Sequence, residues 1–386
     1  MKNFLNKIYA FRFFDDLVLI YPLYVVMFTD FGMQPWQVAT LLAVWSTTTF
    51  LFEVPSGVWA DIYSRKNILF LGQLVRAFGY LSWLLFPNFW GFLIGFVLWG
   101  FKSALTSGTF EALVYDELKH FNQESQYTKI LGRTKTLSFI AILVASALAS
   151  PAVLLGYPFV LVISSLAVLV SGIIIISIPK ARISQSTHEK EYFSLLREGL
   201  VGVFRNVVVL RIVVFLSLAF ALGGALDEYW TIFADGVGLP HYGLGLFLGL
   251  MSGVQGIGSF VAHRFEHFSN SFFYVLFAIS GLLLILASYL FTVPALALLI
   301  IFSLMFTIIH TVYSGRLQHT ISSEARSTIT SVNGFLVEIG VIAVYFGFGM
   351  FAQASSYRHS FTFFGIIVAT IGLLYLLSDR SNSPKV

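Results

Sequence analysis

Residues 52–66 read Phe52-Glu53-Val54-Pro55-Ser56-Gly57-Val58-Trp59-Ala60-Asp61-Ile62-Tyr63-Ser64-Arg65-Lys66. The stretch closes one apolar run and opens another. Its charge is confined to Glu53, Asp61 and the adjacent pair Arg65 and Lys66, with aromatic and aliphatic residues between them. A basic pair in so short a connection marks a loop that stays on the cytoplasmic side of a membrane, with a spanning helix on either side of it.

Working outward, apolar windows bounded by Pro, Gly and charge recur along the whole chain. Each is about 20 residues long, enough to cross a hydrocarbon core about 30 Å thick at 1.5 Å per residue. They predict helices near residues 10–31, 36–60, 66–87, 89–118, 130–150 and 158–178, and again near 207–233, 241–263, 271–291, 295–315, 328–350 and 359–378. The composition agrees. Of 386 residues 57% are hydrophobic and only 11% charged, and the mean hydropathy is +0.84, too apolar for a fold whose surface meets water. The formal charge of +4 comes from basic residues scattered between the apolar runs, with no contiguous patch, so nucleic acid is not an expected partner. The lack of cysteine excludes disulfides, thiolate metal sites and a cysteine nucleophile. The basic segment Met1 to Arg12 is followed by Asp15 and Asp16 without a small-residue cleavage site, and reads as the start of an uncleaved first helix.

On this map every Lys and Arg except Arg76, Lys102 and Arg358 falls on one side, from Lys2, Lys7 and Arg12 to Arg380 and Lys385. Both termini are therefore expected in the cytoplasm, which requires an even number of spans. The one long connection, 180–206, mixes Lys180, Arg182, Glu189, Lys190, Glu191, Arg197 and Glu198 and reads as an amphipathic cytoplasmic linker. It divides the chain into an N-terminal half, 1–179, and a C-terminal half, 207–386. Phe31-Gly32-Met33-Gln34-Pro35-Trp36 before the second span is similar to Val237-Gly238-Leu239-Pro240-His241-Tyr242 before the eighth, a trace of an internal repeat.

The segment 52–66 resembles the loop between helices 2 and 3 of the major facilitator superfamily. That signature runs Gly, three residues, Asp, a basic residue, any residue, Gly and two basic residues. Gly57, Asp61, Arg65 and Lys66 match it, whereas Ile62 and Ser64 depart from it. Together with Ser107 to Leu118 at the end of the fourth span, it is similar to a bacterial branch labelled efflux permeases. The resemblance implies an all-α polytopic membrane protein, with twelve transmembrane helices in two pseudo-symmetric six-helix halves, acting as a monomeric secondary transporter. It implies a cytoplasmic gate in which Gly57 allows close helix contact, Asp61 faces a helix terminus and Arg65 pairs with an acid. Asp116 is the partner expected for Arg65 or Arg133. The family's helix 4 arginine motif is absent, and Ala145, Ala149, Ser150 and Pro151 only echo the Gly-Pro pattern of drug/proton antiporters.

An ionisable side chain at mid-membrane costs about 2.5 to 3.5 kcal/mol on insertion scales, so each asks for a partner or a wet cavity. Arg76 and Lys102 fall near the midplane, where they could hold an anionic substrate or neutralise an acid in a fixed pair. Glu338 is similarly deep, on a stripe with Ser331, Gly334 and Tyr345. Ser46, Thr49, Glu53 and Gly57 form one polar or small stripe, and Ser103, Ser107, Glu111 and Tyr115 another. Asp15 and Asp16 are expected at the cytoplasmic depth of Glu53 and Glu111, so that four acids crowd one half. Glu111 and Glu53 are the first choices for carrying a proton, against the alternative that such carboxylates cap helices or pair with Arg12, Arg65 or Arg133. Asp227 and Glu228, beside Tyr229 and Trp230, could bind a cation, gate the outer side or cap an interface. His263 and His310 read as hydrogen-bonding residues, and neither a metal nor a cofactor is expected.

These residues suit a transporter for a small molecule in the bilayer of a bacterial inner membrane. It would be driven by protons, or alternatively by sodium, and would lean to efflux of amphipathic or cationic compounds. An importer of an anionic metabolite or siderophore, using Arg76 and Lys102, is the alternative, and a non-transporting receptor stands as one of another class. No zinc helix, nucleophile elbow or phosphate loop speaks for an enzyme.

Overall fold

The computed structural model describes residues 1–178, 207–321 and 326–382, leaving aside the side chains of Asp61 and of residues 326–328 and 380–382. The expected linker 180–206 and the side chain of Asp61 thus lie outside the described residues. The remainder is helical. The N-terminal half contains α1 (Lys2–Asp16), α2 (Tyr24–Asp30), α3 (Pro35–Ile62), α4 (Arg65–Leu85), α5 (Phe89–Thr106), α6 (Thr109–His120), α7 (Tyr127–Ala152) and α8 (Tyr157–Ile176). The C-terminal half contains α9 (Val207–Asp227), α10 (Trp230–Gly236), α11 (His241–Val261), α12 (Asn270–Leu290), α13 (Leu296–Thr320), α14 (Arg326–Ala354) and α15 (Tyr357–Asn382).

Among the described residues, 11 helical segments are long and apolar enough to cross a membrane. The first span is the twelfth, and it escapes that length criterion because it is broken into α1, of 15 residues, and α2, of 7. This is a multi-pass membrane protein of twelve helical spans, and the spans follow the apolar windows of the sequence. The largest departure is the first helix, which begins at Lys2 rather than near residue 10. Its basic opening turns are anchored: Lys7 Nζ donates to the Ser177 carbonyl at 2.7 Å, and Phe4, Ile8 and Phe11 are buried with Leu113, Val114 and Ile175.

The breaks follow local chemistry. Pro22 lacks an amide hydrogen and cannot continue a helix through residues 17–23. The Ile20 amide in that segment donates instead to Ser164 Oγ of α8 at 3.0 Å, as backbone without helical partners must find others at membrane depth. The fourth span breaks at Ser107 and Gly108, where Gly108 has φ +70°. The seventh breaks at Glu228 and Tyr229, between α9 and α10.

The chain forms two compact units, Met1–Met33 with Thr40–Glu189 and Pro240–Gly249, and Gln34–Ala39 with Lys190–Leu239 and Leu250–Val386. Within the N-terminal half α4 packs on α5 and α8, and α1 on α7 and α8. Within the C-terminal half α12 packs on α13 and α15, and α9 on α13 and α14. Third with fourth and sixth, first with fifth: the pairing scheme is repeated, and the two halves are pseudo-symmetric. The repeated glycine turns carry the same geometry. Gly32 has φ +83° and Gly238 φ +89°. The Met33 amide donates to the Phe28 carbonyl at 3.0 Å and the Leu239 amide to the Ala234 carbonyl at 3.0 Å, each closing its helix in the left-handed conformation glycine adopts at little cost.

Lipid is as apolar as leucine, so close fit rather than water exclusion holds such helices together. The α12–α15 contact is an example, since a Cβ at Gly281 would come within 2.6 Å of the Gly365 carbonyl oxygen. The outward faces keep exposed apolar side chains such as Phe78, Leu85 and Ile94 on α4 and α5.

Candidate functional site

In the N-terminal half the charged residues converge on Asp15, which is only 1% exposed. Its Oδ1 accepts from Lys102 Nζ at 2.8 Å, Gln73 Nε2 at 2.9 Å and Arg76 Nη1 at 3.3 Å. Arg76 Nη1 also donates to the Asp15 carbonyl at 2.9 Å, and its Nε to Tyr80 Oη at 2.8 Å. The guanidinium lies 4.7 Å from the centre of the Trp99 ring. Arg12 reaches Asp15 Oδ2 at 3.5 Å and Asp16 Oδ2 at 3.2 Å, and Ser138 Oγ donates to Asp16 Oδ2. Three cations therefore meet two carboxylates in a knot that ties α1 to α4, α5 and α7. Gly72 makes room for it: a Cβ there would stand 3.5 Å from Lys102 Cγ.

This geometry corrects the expected depth of Asp15 and Asp16. Because α1 starts at Lys2, Asp15 reaches the level of Arg76 and Lys102, with which it pairs. Asp15 and Asp16 are met by the cations Arg12, Arg76 and Lys102. Glu53 is exposed on its half and has a polar or ionic partner. Glu111 is exposed in the first turn of α6, where a carboxylate suits the helix dipole.

The loop after α3 also acquires contacts. Arg65 pairs with Asp116, rather than Arg133 doing so, and Arg65 Nη1 lies 3.3 Å from the Ala112 carbonyl. Lys66 Nζ donates to the Ile178 and Ile176 carbonyls at 2.6 and 3.3 Å, satisfying the open carbonyls at the end of α8. Gly57 leaves open space where a Cβ would be, and Arg133 is exposed.

The C-terminal half places its acid differently. Asp227 ends α9 beside a cavity of about 220 Å³. Its Oδ1 accepts from Trp230 Nε1 at 2.9 Å and Gln255 Nε2 at 3.2 Å, and Gln255 Nε2 also lies 2.7 Å from Ser303 Oγ. Among the described residues no cation approaches it, and Oδ2 takes no protein donor. The walls are Phe220, Trp230, Phe302 and Phe306, with the Phe302 and Phe306 rings stacked at 4.3 Å. Gly223 and Gly224 open the α9 side, and Thr307 and His310 line α13 below Ser303. Glu228, next to Asp227, is half-buried and has a polar or ionic partner. Glu338 is half-buried on α14 and likewise partnered, while Tyr345 of its stripe is buried.

The description Major Facilitator Superfamily matches residues 8–345, most of the chain. The protein belongs to the major facilitator superfamily. A relative from Bacillus subtilis (strain 168), named as the uncharacterized MFS-type transporter YxaM, is 23% identical over 240 residues, 59% of this chain and 58% of that protein. The chain thus matches less than two thirds of that relative's length. Superfamily members of solved structure share the fold over nearly their whole length. The nucleoside transporter NupG superposes with a TM-score of 0.77 at 14% identity, covering 98% of this chain and 99% of that one. A D-xylose-proton symporter gives 0.74 at 13%, covering 97% and 95%. A bacterial homologue of the iron transporter ferroportin gives 0.69 at 15%, covering 100% and 98%.

Against that fold, Gln73 and Gln255 stand out as site residues the sequence reading passed over. Each is an amide in an apolar helix, and its depth within the span is the signal that could have flagged it.

Proposed function

We propose that this superfamily member is a secondary active transporter. It moves a small molecule by alternating access, exchanges protons at Asp227 and exports amphipathic or cationic compounds. The observation that carries the reading is the Asp227 carboxylate, bonded among the described residues only by the neutral donors Trp230 and Gln255 in an aromatic cavity. Its charge is balanced by whatever occupies the cavity, a proton or a cationic solute, and two occupants competing for one carboxylate is the basis of antiport. The importer of an anionic metabolite fits less well, because Arg76 and Lys102 are buried against Asp15.

In this reading 180–206 is the cytoplasmic linker between the halves 1–179 and 207–386, and both termini face the cytoplasm of a bacterial cell. Gly57, Asp61, Arg65, Lys66, Asp116 and Arg133 form the cytoplasmic gate, in which the Arg65–Asp116 pair opens and re-forms with each cycle.

The test is reconstitution into proteoliposomes with an imposed proton gradient, following metabolites and cationic compounds in both directions. Gradient-driven flux that disappears in Asp227→Asn and persists in Glu111→Gln is the expected result. Flux that survives Asp227→Asn overturns the assignment and moves the proton site to Glu111, Glu53 or Glu338.

A further inference from the structure

The donors on Asp227 leave one side of it unoccupied. Trp230 Nε1 and Gln255 Nε2 both bond Oδ1, among the described residues no donor reaches Oδ2, and Asp227 lines the cavity. The ionised carboxylate can only accept, which fixes the Gln255 amide with its NH₂ toward Asp227 and Ser303 and leaves Gln255 Oε1 as an acceptor for another donor. A primary ammonium, whose three N–H donors can serve more than one acceptor, suits two such groups lining one cavity. A quaternary ammonium has no donor for either.

The remaining walls set the size and kind of the rest of the ligand. Phe220 and Phe306 flank the Gly223–Gly224 pair. A Cβ at Gly223 would meet the Phe306 ring, whereas one at Gly224 would stand 3.8 Å from the Phe220 ring. An apolar cavity of about 150 Å³ takes a benzene molecule, so 220 Å³ has room for one ring with a short chain. Aromatic faces next to a cation add to the attraction of the carboxylate. The slot runs along α13 from Ser303 to His310, about 10 Å by helical rise, and has a polar group at each end.

We propose that this cavity binds a protonated primary amine bearing a single aromatic ring, with its ammonium on Asp227 Oδ2 and Gln255 Oε1 and its ring against Phe220 and Phe306. The proposal rests on the reading of Asp227 as the exchange site and narrows the substrate class to aromatic monoamines. Such a ligand and a proton then exclude each other at one carboxylate.

The experiment is equilibrium binding of radiolabelled phenethylamine to the full-length protein in lipid nanodiscs. Saturable binding is expected, weakened about tenfold or more in Asp227→Asn and in Gly224→Val, whose side chain grows into the slot. Tyramine competes at least as well as phenethylamine, because its hydroxyl reaches toward His310. Phenethyl alcohol and trimethylated phenethylammonium each compete at least about tenfold less well. Should Asp227→Asn not fold, Gln255→Leu and Gly224→Val carry the same test, with thermal melting as the fold control. Binding that is unchanged in these variants, or equal competition by the neutral alcohol, overturns the proposal. If phenethylamine fails to bind while Asp227-dependent, proton-driven flux of other compounds persists, the ligand class falls and the transport reading stands. Amine binding without any gradient-driven flux removes the coupling and leaves the site.

Discussion

Asp15 and Asp227 each lie next to a break in the first helix of their half, yet they are treated in opposite ways. Asp15 is fixed by Lys102, Arg76, Arg12 and Gln73. Asp227 is held through one oxygen by an indole and an amide, and among the described residues no donor reaches the other. The repeated turns at Gly32 and Gly238 set a common register for the halves, in which Asp227 corresponds to Tyr21 and Asp15 to Ala221. Backbone and packing scheme are therefore duplicated, and the charges are not. One acid is a fastening and the other an exchange point, and what separates them is the presence of fixed counter-ions.

The comparison breaks most readily at Asp15. Asp15→Asn leaves Arg76 and Lys102 buried without their counter-ion, and a loss of about 3–5 kcal/mol is expected for one partner removed from a buried pair. Denaturant unfolding of the purified protein measures it. Adding Lys102→Met to Asp15→Asn should restore part of the loss, and a single variant as stable as the wild type would remove the fastening role. The next largest effect is functional. Asp227→Asn keeps the acceptor for Trp230 and Gln255, so stability should change by less than about 1 kcal/mol, while gradient-driven flux falls by about tenfold or more. A melt in which Asp227→Asn is as damaged as Asp15→Asn would erase the contrast between the two acids.

Arg65→Ala should be milder in stability, about 1 kcal/mol or less, because Arg65 and Asp116 are 15% and 21% exposed and water screens the pair. Transport rate is the more sensitive readout there. Glu111→Gln is expected to have the smallest effect, with a melting temperature within about 1 °C of wild type, because the carboxylate contributes only a dipole interaction at an exposed helix start.

The spans were legible because lipid demands long apolar runs and leaves the charges between them. The pairing of Arg65 with Asp116 was legible too, since both stand at the ends of neighbouring spans on the side where the basic residues gather. The depth of Asp15 was hidden by Lys2 and Lys7, whose charges put the expected start of the span near residue 10, although the helix runs through them from Lys2 with Phe4, Ile8 and Phe11 buried beneath. The Asp227 cavity was hidden for a different reason. It is made by what is missing at Gly223 and Gly224 and by the way the phenylalanines turn around that gap, and hydropathy records neither. Gln73 and Gln255 form no periodic stripe, and an isolated amide in an apolar run matters only when its helix is packed beside an acid.

Of the seven tryptophans, six precede residue 100 and Trp230 stands alone in the C-terminal half. Its indole nitrogen bonds Asp227 directly, so this half carries a native fluorophore wired to its own carboxylate. Replacing the six others would leave an emission that reports the occupancy of one cavity. The lack of cysteine would let a single introduced thiol on a chosen helix add a distance to that signal.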